Sequence, residues 1–307
     1  MNPEPQDRPA DELLTLVSKF LYGTVRDRRQ VKLDEIYEHF TGLNNAEVDD
    51  TLRQLSGKQL IQVSFSGQLV QLVEFGKDAY ESASIPELVL GERYISEKYR
   101  RAVVHIIVQT PNGDERGGTG FFVDDFPGWL VTAWHVTGRG NQILRIESGD
   151  GTVIQRGECE RRGGSEDLDL TLVRCAKQDG VIPLRVEWRD DVTHHLDKVL
   201  IFGYPPFAGH GVDQFVARGE INSKPWRLGQ QQQSLIISGN IRGGCSGGPV
   251  VGEAGLVLGI IVQDNELKRD TGTVEYVTAT PSYYLSQILP DGPPTPDTLR
   301  PSIETEE

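Results

Sequence analysis

Apolar and polar positions recur with two different periods along this chain, and the change of period divides it. Leu13, Leu16, Val17, Phe20 and Leu21 follow the spacing of one helical face, with Asp11 placed to cap it. Leu33, Ile36, Tyr37 and Phe40 predict a second short helix that stops near Gly42. Val48, Leu52 and Leu55 predict a third, capped by Asn44 or Asn45 and closing near Gly57. From Ile61 the period falls to two. Ile61, Val63 and Phe65 alternate with polar residues, Ser66-Gly67 signals a turn, and residues 69–73 answer as a second strand. Phe75 to Tyr80 opens a closing helix. Three helices and a hairpin predict a small α+β domain over residues 11–83.

Residues 84–101 contain Pro86 and mixed charge, and read as a linker. Beyond them short apolar runs follow one another at 102–109, 118–123, 129–133, 142–146, 169–175, 198–202, 214–221, 234–238, 256–262 and 275–279. Strands at that spacing predict antiparallel barrels or a sandwich over residues 102–289. Pro281 opens a stretch that reads as a terminal helix, with proline in its first turn. Residues 1–10 hold few apolar groups and predict a disordered lead; residues 290–307, rich in proline and acid, predict a disordered tail.

Charge and composition narrow the partners. The chain of 307 residues has a net charge of −14, and a bulk acidic protein repels nucleic acid unless one face is basic. The order of helices and hairpin in residues 11–83 resembles a winged-helix domain. Its third helix opens with Glu47, Asp49 and Asp50, which would face phosphates, and the hairpin tip carries no cation. Arg26, Arg28 and Arg29 form the one basic cluster there. A regulatory protein partner is therefore expected for residues 11–83, and nucleic acid is not. No apolar run is long enough to span a membrane, and the N-terminus lacks a leader's apolar core. Three cysteines, Cys159, Cys175 and Cys245, are too few for a disulfide framework, and no Cys/His spacing suggests a metal. The expectation is a cytoplasmic protein.

Chemistry concentrates in three strings. Gly243-Gly244-Cys245-Ser246-Gly247-Gly248-Pro249 is a glycine-dense turn around one hydroxyl and one thiol. Such a turn can aim several backbone N–H groups at one point, as a developing oxyanion requires. A nucleophilic serine needs a base, and the base needs an orienting carboxylate. His135 follows the apolar run 129–133, where a strand end would expose it on a rigid support. Asp169 leads directly into Leu170-Thr171-Leu172-Val173, with Asp167 as the alternative carboxylate.

Thr132-Ala133-x-His135, Asp169-Leu170-Thr171-Leu172-Val173 and Gly244-x-Ser246-Gly247-Gly248-Pro249 together resemble the trypsin-like, chymotrypsin-fold serine endopeptidases, in the order His, Asp, Ser. Gly118 to Val123 resembles the strand that precedes the histidine in that family, and Phe202-Gly203-Tyr204-Pro205 and Thr278-Ala279-Thr280-Pro281 resemble its high-temperature-requirement branch. The resemblance implies a mainly β protein with two six-stranded antiparallel barrels. It implies Ser246 as nucleophile, His135 as general base, Asp169 as its orienter, and an oxyanion hole from the N–H groups of Gly244 and Ser246. Asn240, Val262 and Asp264 would border the specificity pocket. It implies a protein or peptide substrate, and neither metal nor organic cofactor. Cys245 stands where digestive members carry an aspartate that pairs with a freed N-terminus, so regulation is expected through the first domain, in a bacterial signalling, stress or defence setting. A register shifted by one would make Cys245 the nucleophile instead. Two other readings are a catalytically silent protease fold and a DNA-binding regulator that carries a protease domain.

Overall fold

In the computed structural model the described residues are 9–24, 30–124, 128–138, 140–154, 159–176, 178–207, 210–227, 232–239, 243–269 and 272–289; side chains are described in these except at 24, 159–162 and 263–275. The disordered lead and tail expected at 1–10 and 290–307 lie almost wholly outside them. Two compact units meet at the Tyr94–Ile95 junction.

The first unit begins with α1 (Ala10–Ser18), which continues as a wider π turn over Lys19–Thr24. β1 (Gln30–Lys32), α2 (Leu33–His39) and α3 (Asn45–Gly57) follow. β2 (Ile61–Ser64) and β3 (Leu69–Leu72) form the hairpin, and α4 (Glu74–Glu81) comes after it. β1 pairs antiparallel with β3, so the sheet runs β1-β3-β2. The apolar stripe of α1 (Leu14, Val17) meets Val48, Leu52 and Leu55 of α3 and Val70 of the sheet in one core. Asn44 caps α3 by accepting from Ala46 N–H at 3.0 Å, and Glu47 reaches back to Asn44 N–H at 3.0 Å. The first acidic residue of α3 is thus part of the helix start. Asp49 accepts from Tyr37 Oη at 2.5 Å and Asp50 from Gln54 Nε2 at 2.7 Å. Gly76 of α4 rests on the Leu60 carbonyl and the Tyr22 hydroxyl, a seat that a Cβ would fill.

The stretch expected as a linker is instead α5 (Ile85–Tyr99), interrupted at Gly91, where φ is +74°. Pro86 lies in its first turn, where no donor is lost, so it starts the helix rather than preventing one. Ile85 belongs to the core of the first unit, and Ile95 and Tyr99 to that of the second.

The second unit holds two large sheets. β4 (Val103–Gln109), β5 (Glu115–Phe122) and β6 (Trp129–Ala133) lead into the one-turn helix α6 (Trp134–Thr137). β7 (Gln142–Ser148), β8 (Val153–Ile154), β9 (Cys159–Ser165) and β10 (Leu170–Cys175) complete a seven-stranded antiparallel sheet in the order β8-β7-β4-β5-β6-β10-β9. β11 (Arg185–Val186) and β12 (Lys198–Gly203) open the second sheet, and a small hairpin of β13 (Pro206–Phe207) and β14 (Gly211–Val212) follows. β15 (Phe215–Ser223), β16 (Leu235–Ser238), β17 (Pro249–Gly252), β18 (Leu256–Arg269) and β19 (Gly272–Pro281) follow. Its order is β11-β18-β17-β12-β15-β16-β19, and β19 also pairs with β18. That last pairing closes β12, β15, β16, β19, β18 and β17 into an antiparallel six-stranded barrel. Of the two barrels expected, this one is closed; the first sheet has no closing pair among the described residues, and its edge strand β8 is only two residues long. Phe121, Val131 and Leu172 of the first sheet pack with Phe202, Val251 and Ile260 of the barrel in one shared core.

Cys175 is disulfide-bonded, Cys159 faces it in the β9–β10 register, and Cys245 is free. The sparse cysteines therefore lose their force as a sign of a reducing compartment. Protein purified without reductant and then denatured should expose one thiol per chain to a thiol reagent. Three would show that the facing cysteines stay reduced and would restore the cytoplasmic expectation.

His105 of β4 is buried, its Nδ1 3.8 Å from Glu147 Oε2 and its ring stacked on Tyr204 at 5.3 Å. Burial holds its pKa below the ordinary histidine value; Arg145 pushes the same way and Glu147 opposes. The unfolded chain therefore takes up a proton at higher pH than the folded one, so stability is full above about pH 6.5 and falls as pH drops below it. The urea midpoint should decline from pH 7.5 to 5.5, and His105→Gln should flatten that decline. An unchanged slope in the variant would remove His105 as its source.

Candidate active site

β6 carries His135 to its place. Leu130 to Ala133 are buried, which fixes the strand, and the chain turns into α6 directly after Ala133. The His135 side chain is 44% exposed there. Asn141 Nδ2 ties the turn by donating to the carbonyls of His135 at 3.3 Å and Val136 at 2.9 Å. β10 pairs antiparallel with β6, with Leu170 opposite Ala133, so Asp169 arrives beside His135. Trp134 N–H donates to the Asp169 carbonyl at 3.0 Å.

Asp169 has φ +54°, a left-handed conformation that aspartate tolerates better than most residues. In that pose its carboxylate grips His135 twice. Oδ1 accepts His135 N–H at 2.9 Å and Oδ2 lies 2.7 Å from Nδ1. A carboxylate there requires a proton on Nδ1, which leaves Nε2 as the acceptor. The Glu166–Asp169 turn is held from the barrel side of the same unit. Arg227 Nη1 donates to the Asp167 carbonyl at 3.1 Å, and Thr280 Oγ1 donates to the Leu168 carbonyl at 2.9 Å. Asp167, the alternative carboxylate, is exposed, and the contact to His135 comes from Asp169.

The serine loop lies between β16 and β17. Gly244 and Gly247 have φ of +100° and +86°, a region that favours glycine. A Cβ on Gly247 would strike the Thr119 carbonyl, Thr132 Oγ1 and Ala133 N–H. The loop therefore lies in van der Waals contact with the end of β6, two residues before His135. Gly247 N–H donates to Ile261 O at 2.7 Å, and Thr119 N–H donates to Ser246 O at 2.8 Å. Ser246 is partly exposed, whereas Cys245 is 1% exposed with its Sγ against Gly203 of β12. Among the described residues, no acceptor takes the N–H of Gly244 or Ser246. The loop thus presents a hydroxyl and two free backbone donors next to the end of β6, the strand that leads to His135; among the described residues no hydrogen bond joins Ser246 to His135.

The expected pocket residues fare differently. Val262 is buried on β18, while Asn240 and the Asp264 side chain lie outside the described residues. Among the described residues, no three His, Cys, Asp or Glu side chains gather as metal ligands would. Sequence reasoning missed Thr119, Thr132, Asn141, Arg227 and Thr280. Each acts on residues distant in the chain or through backbone, and a hydroxyl in a strand leaves no local signal.

Residues 118–260 match the family model for the trypsin-like peptidase domain. A solved HtrA-type protease, determined with a tripeptide, superposes with a TM-score of 0.52 at 22% identity, over 64% of this chain and 61% of that one. No curated protein sequence matches the chain. Residues 118–260 are thus similar to the trypsin-like peptidase domain, and the second unit shares its fold with the HtrA-type protease.

Proposed function

We propose that the chain is a serine endopeptidase that works through Ser246, His135 and Asp169. The double grip of Asp169 on His135 is the observation that carries the reading. Ser246 Oγ attacks the scissile carbonyl while His135 Nε2 takes its proton. The imidazolium that forms is stabilised by Asp169 at Nδ1. Charge that develops on the carbonyl oxygen falls to the N–H groups of Gly244 and Ser246. His135 then returns the proton to the leaving amine, and the acyl-enzyme on Ser246 is hydrolysed by the same steps with water as nucleophile. Cys245, buried against Gly203, is a packing residue of the turn.

Substrate and regulation belong to the same proposal. The substrate is a protein or peptide, a reading supported by the tripeptide in the HtrA-type structure. The first unit, whose helices and three-stranded sheet have the order of a winged helix, recruits a protein partner or substrate. All three carboxylates at the start of α3 are engaged within the unit, by Asn44, Tyr37 and Gln54, and their charge disfavours a nucleic-acid phosphate.

With a peptide library that reports turnover, Ser246→Ala should remove hydrolysis, and Asp169→Asn should lower kcat by about 10³- to 10⁴-fold through the wrong tautomer. Cys245→Ala should keep most of the activity. Hydrolysis that survives Ser246→Ala, or is lost with Cys245→Ala in a folded protein, would overturn the assignment.

A further inference from the structure

The serine loop has two residues at positive φ and a buried Cys245 at its centre, and its Cys245 and Gly248 carbonyls accept from Gly248 and Ile261 N–H. Another residue fixes two more of its carbonyls. Thr119 of β5 is fully buried. Its N–H donates to Ser246 O at 2.8 Å, and its Oγ1 donates to Gly244 O at 2.7 Å. The direction of that second bond is forced. Thr119 Oγ1 also lies 3.0 Å from Tyr204 N–H, which can only donate, so the single hydroxyl proton is left for Gly244 O. The Thr119 carbonyl in turn accepts from Thr132 Oγ1 at 2.6 Å, on the strand that leads to His135. Tyr204 is itself held, by its hydroxyl to Val103 O at 3.0 Å and by its ring on His105.

We propose that Thr119 is the positioning residue that holds the oxyanion loop in its working shape, with its hydroxyl locking Gly244 and its N–H locking Ser246. The inference rests on the catalytic reading above. Gly244 and Ser246 are the two residues whose N–H groups face the developing oxyanion, and Thr119 pins each through its own carbonyl. At a glycine with φ +100° the backbone has other conformations within reach, so the tether selects one of them. Thr119 touches neither substrate nor proton and acts only through the loop. Loss of the hydroxyl leaves the Gly244 carbonyl and the Tyr204 N–H without their partner in a buried site.

The test compares Thr119→Val, which keeps the shape and the backbone N–H, with Thr119→Ser, which keeps the hydroxyl. The full chain is used, with a peptide substrate and a peptide aldehyde whose adduct carries the oxyanion. Thr119→Val should lower kcat by about 10- to 100-fold and weaken the aldehyde in parallel, with KM nearly unchanged, because a displaced donor acts on the transition state alone. Thr119→Ser should recover most of both. If Thr119→Val does not fold, Thr119→Ala set against Thr119→Ser isolates the same oxygen. Wild-type kcat and aldehyde affinity in Thr119→Val, or equal losses in Thr119→Ser and Thr119→Ala, would overturn the proposal. Those results leave the catalytic reading standing if Ser246→Ala is inactive; an inactive wild-type chain would count against the catalytic reading instead.

Discussion

The two sheets of the second unit are joined by a close approach, Gly247 against Thr119 within β5 and against the end of β6. No side chain fits between that Cα and the Thr119 carbonyl, Thr132 Oγ1 and Ala133 N–H. The contact joins the barrel's loop to the first sheet at the point where His135 leaves its strand. Because Thr119, Thr132 and Ala133 are buried strand residues, the separation is set by packing rather than by loop flexibility. Asp169 adds the orientation. Its left-handed turn follows from the register that puts Leu170 opposite Ala133, and its carboxylate then has only the His135 backbone and ring to meet. The geometry of the proposed site is thus a consequence of two pairings, β6 with β10 and the serine loop with β5 and β6.

In the first unit Glu47 serves a helix cap and Asp49 accepts from a tyrosine, beside a largely aliphatic core that includes the three-stranded sheet. In the second unit Arg227 and Thr280 steady the turn that carries Asp169. Asparagine at 141 does the same for the turn that carries His135.

Much of this was legible in the sequence where the signal is local. The helical stripes of α1 and α3, the β2–β3 hairpin and the runs that became β4, β6, β10 and β12 all follow from periodicity in short windows. The His135, Asp169 and Ser246 strings were legible because each carries its own backbone demand: a strand end, a strand start, a glycine turn. Pro86 misled, because a proline in the first turn of a helix and one in a linker look alike without the residues that pack on it. The disulfide at Cys175 was invisible to a cysteine count, since register decides it. β1 was missed because three residues give no period. Thr119 was missed for the deepest reason: its hydroxyl joins residues more than a hundred positions apart, and nothing beside it in the chain announces the loop it holds.

The central claim is that Ser246, and no neighbour, is the nucleophile. A fluorophosphonate reacts only with a serine activated by its base, and fragmentation mass spectrometry of the digested adduct locates the phosphorus to one residue. The account predicts a single adduct on Ser246, absent after Asp169→Asn at short exposure times. An adduct on Cys245, or none on wild-type protein that is folded and hydrolyses peptides, would contradict it.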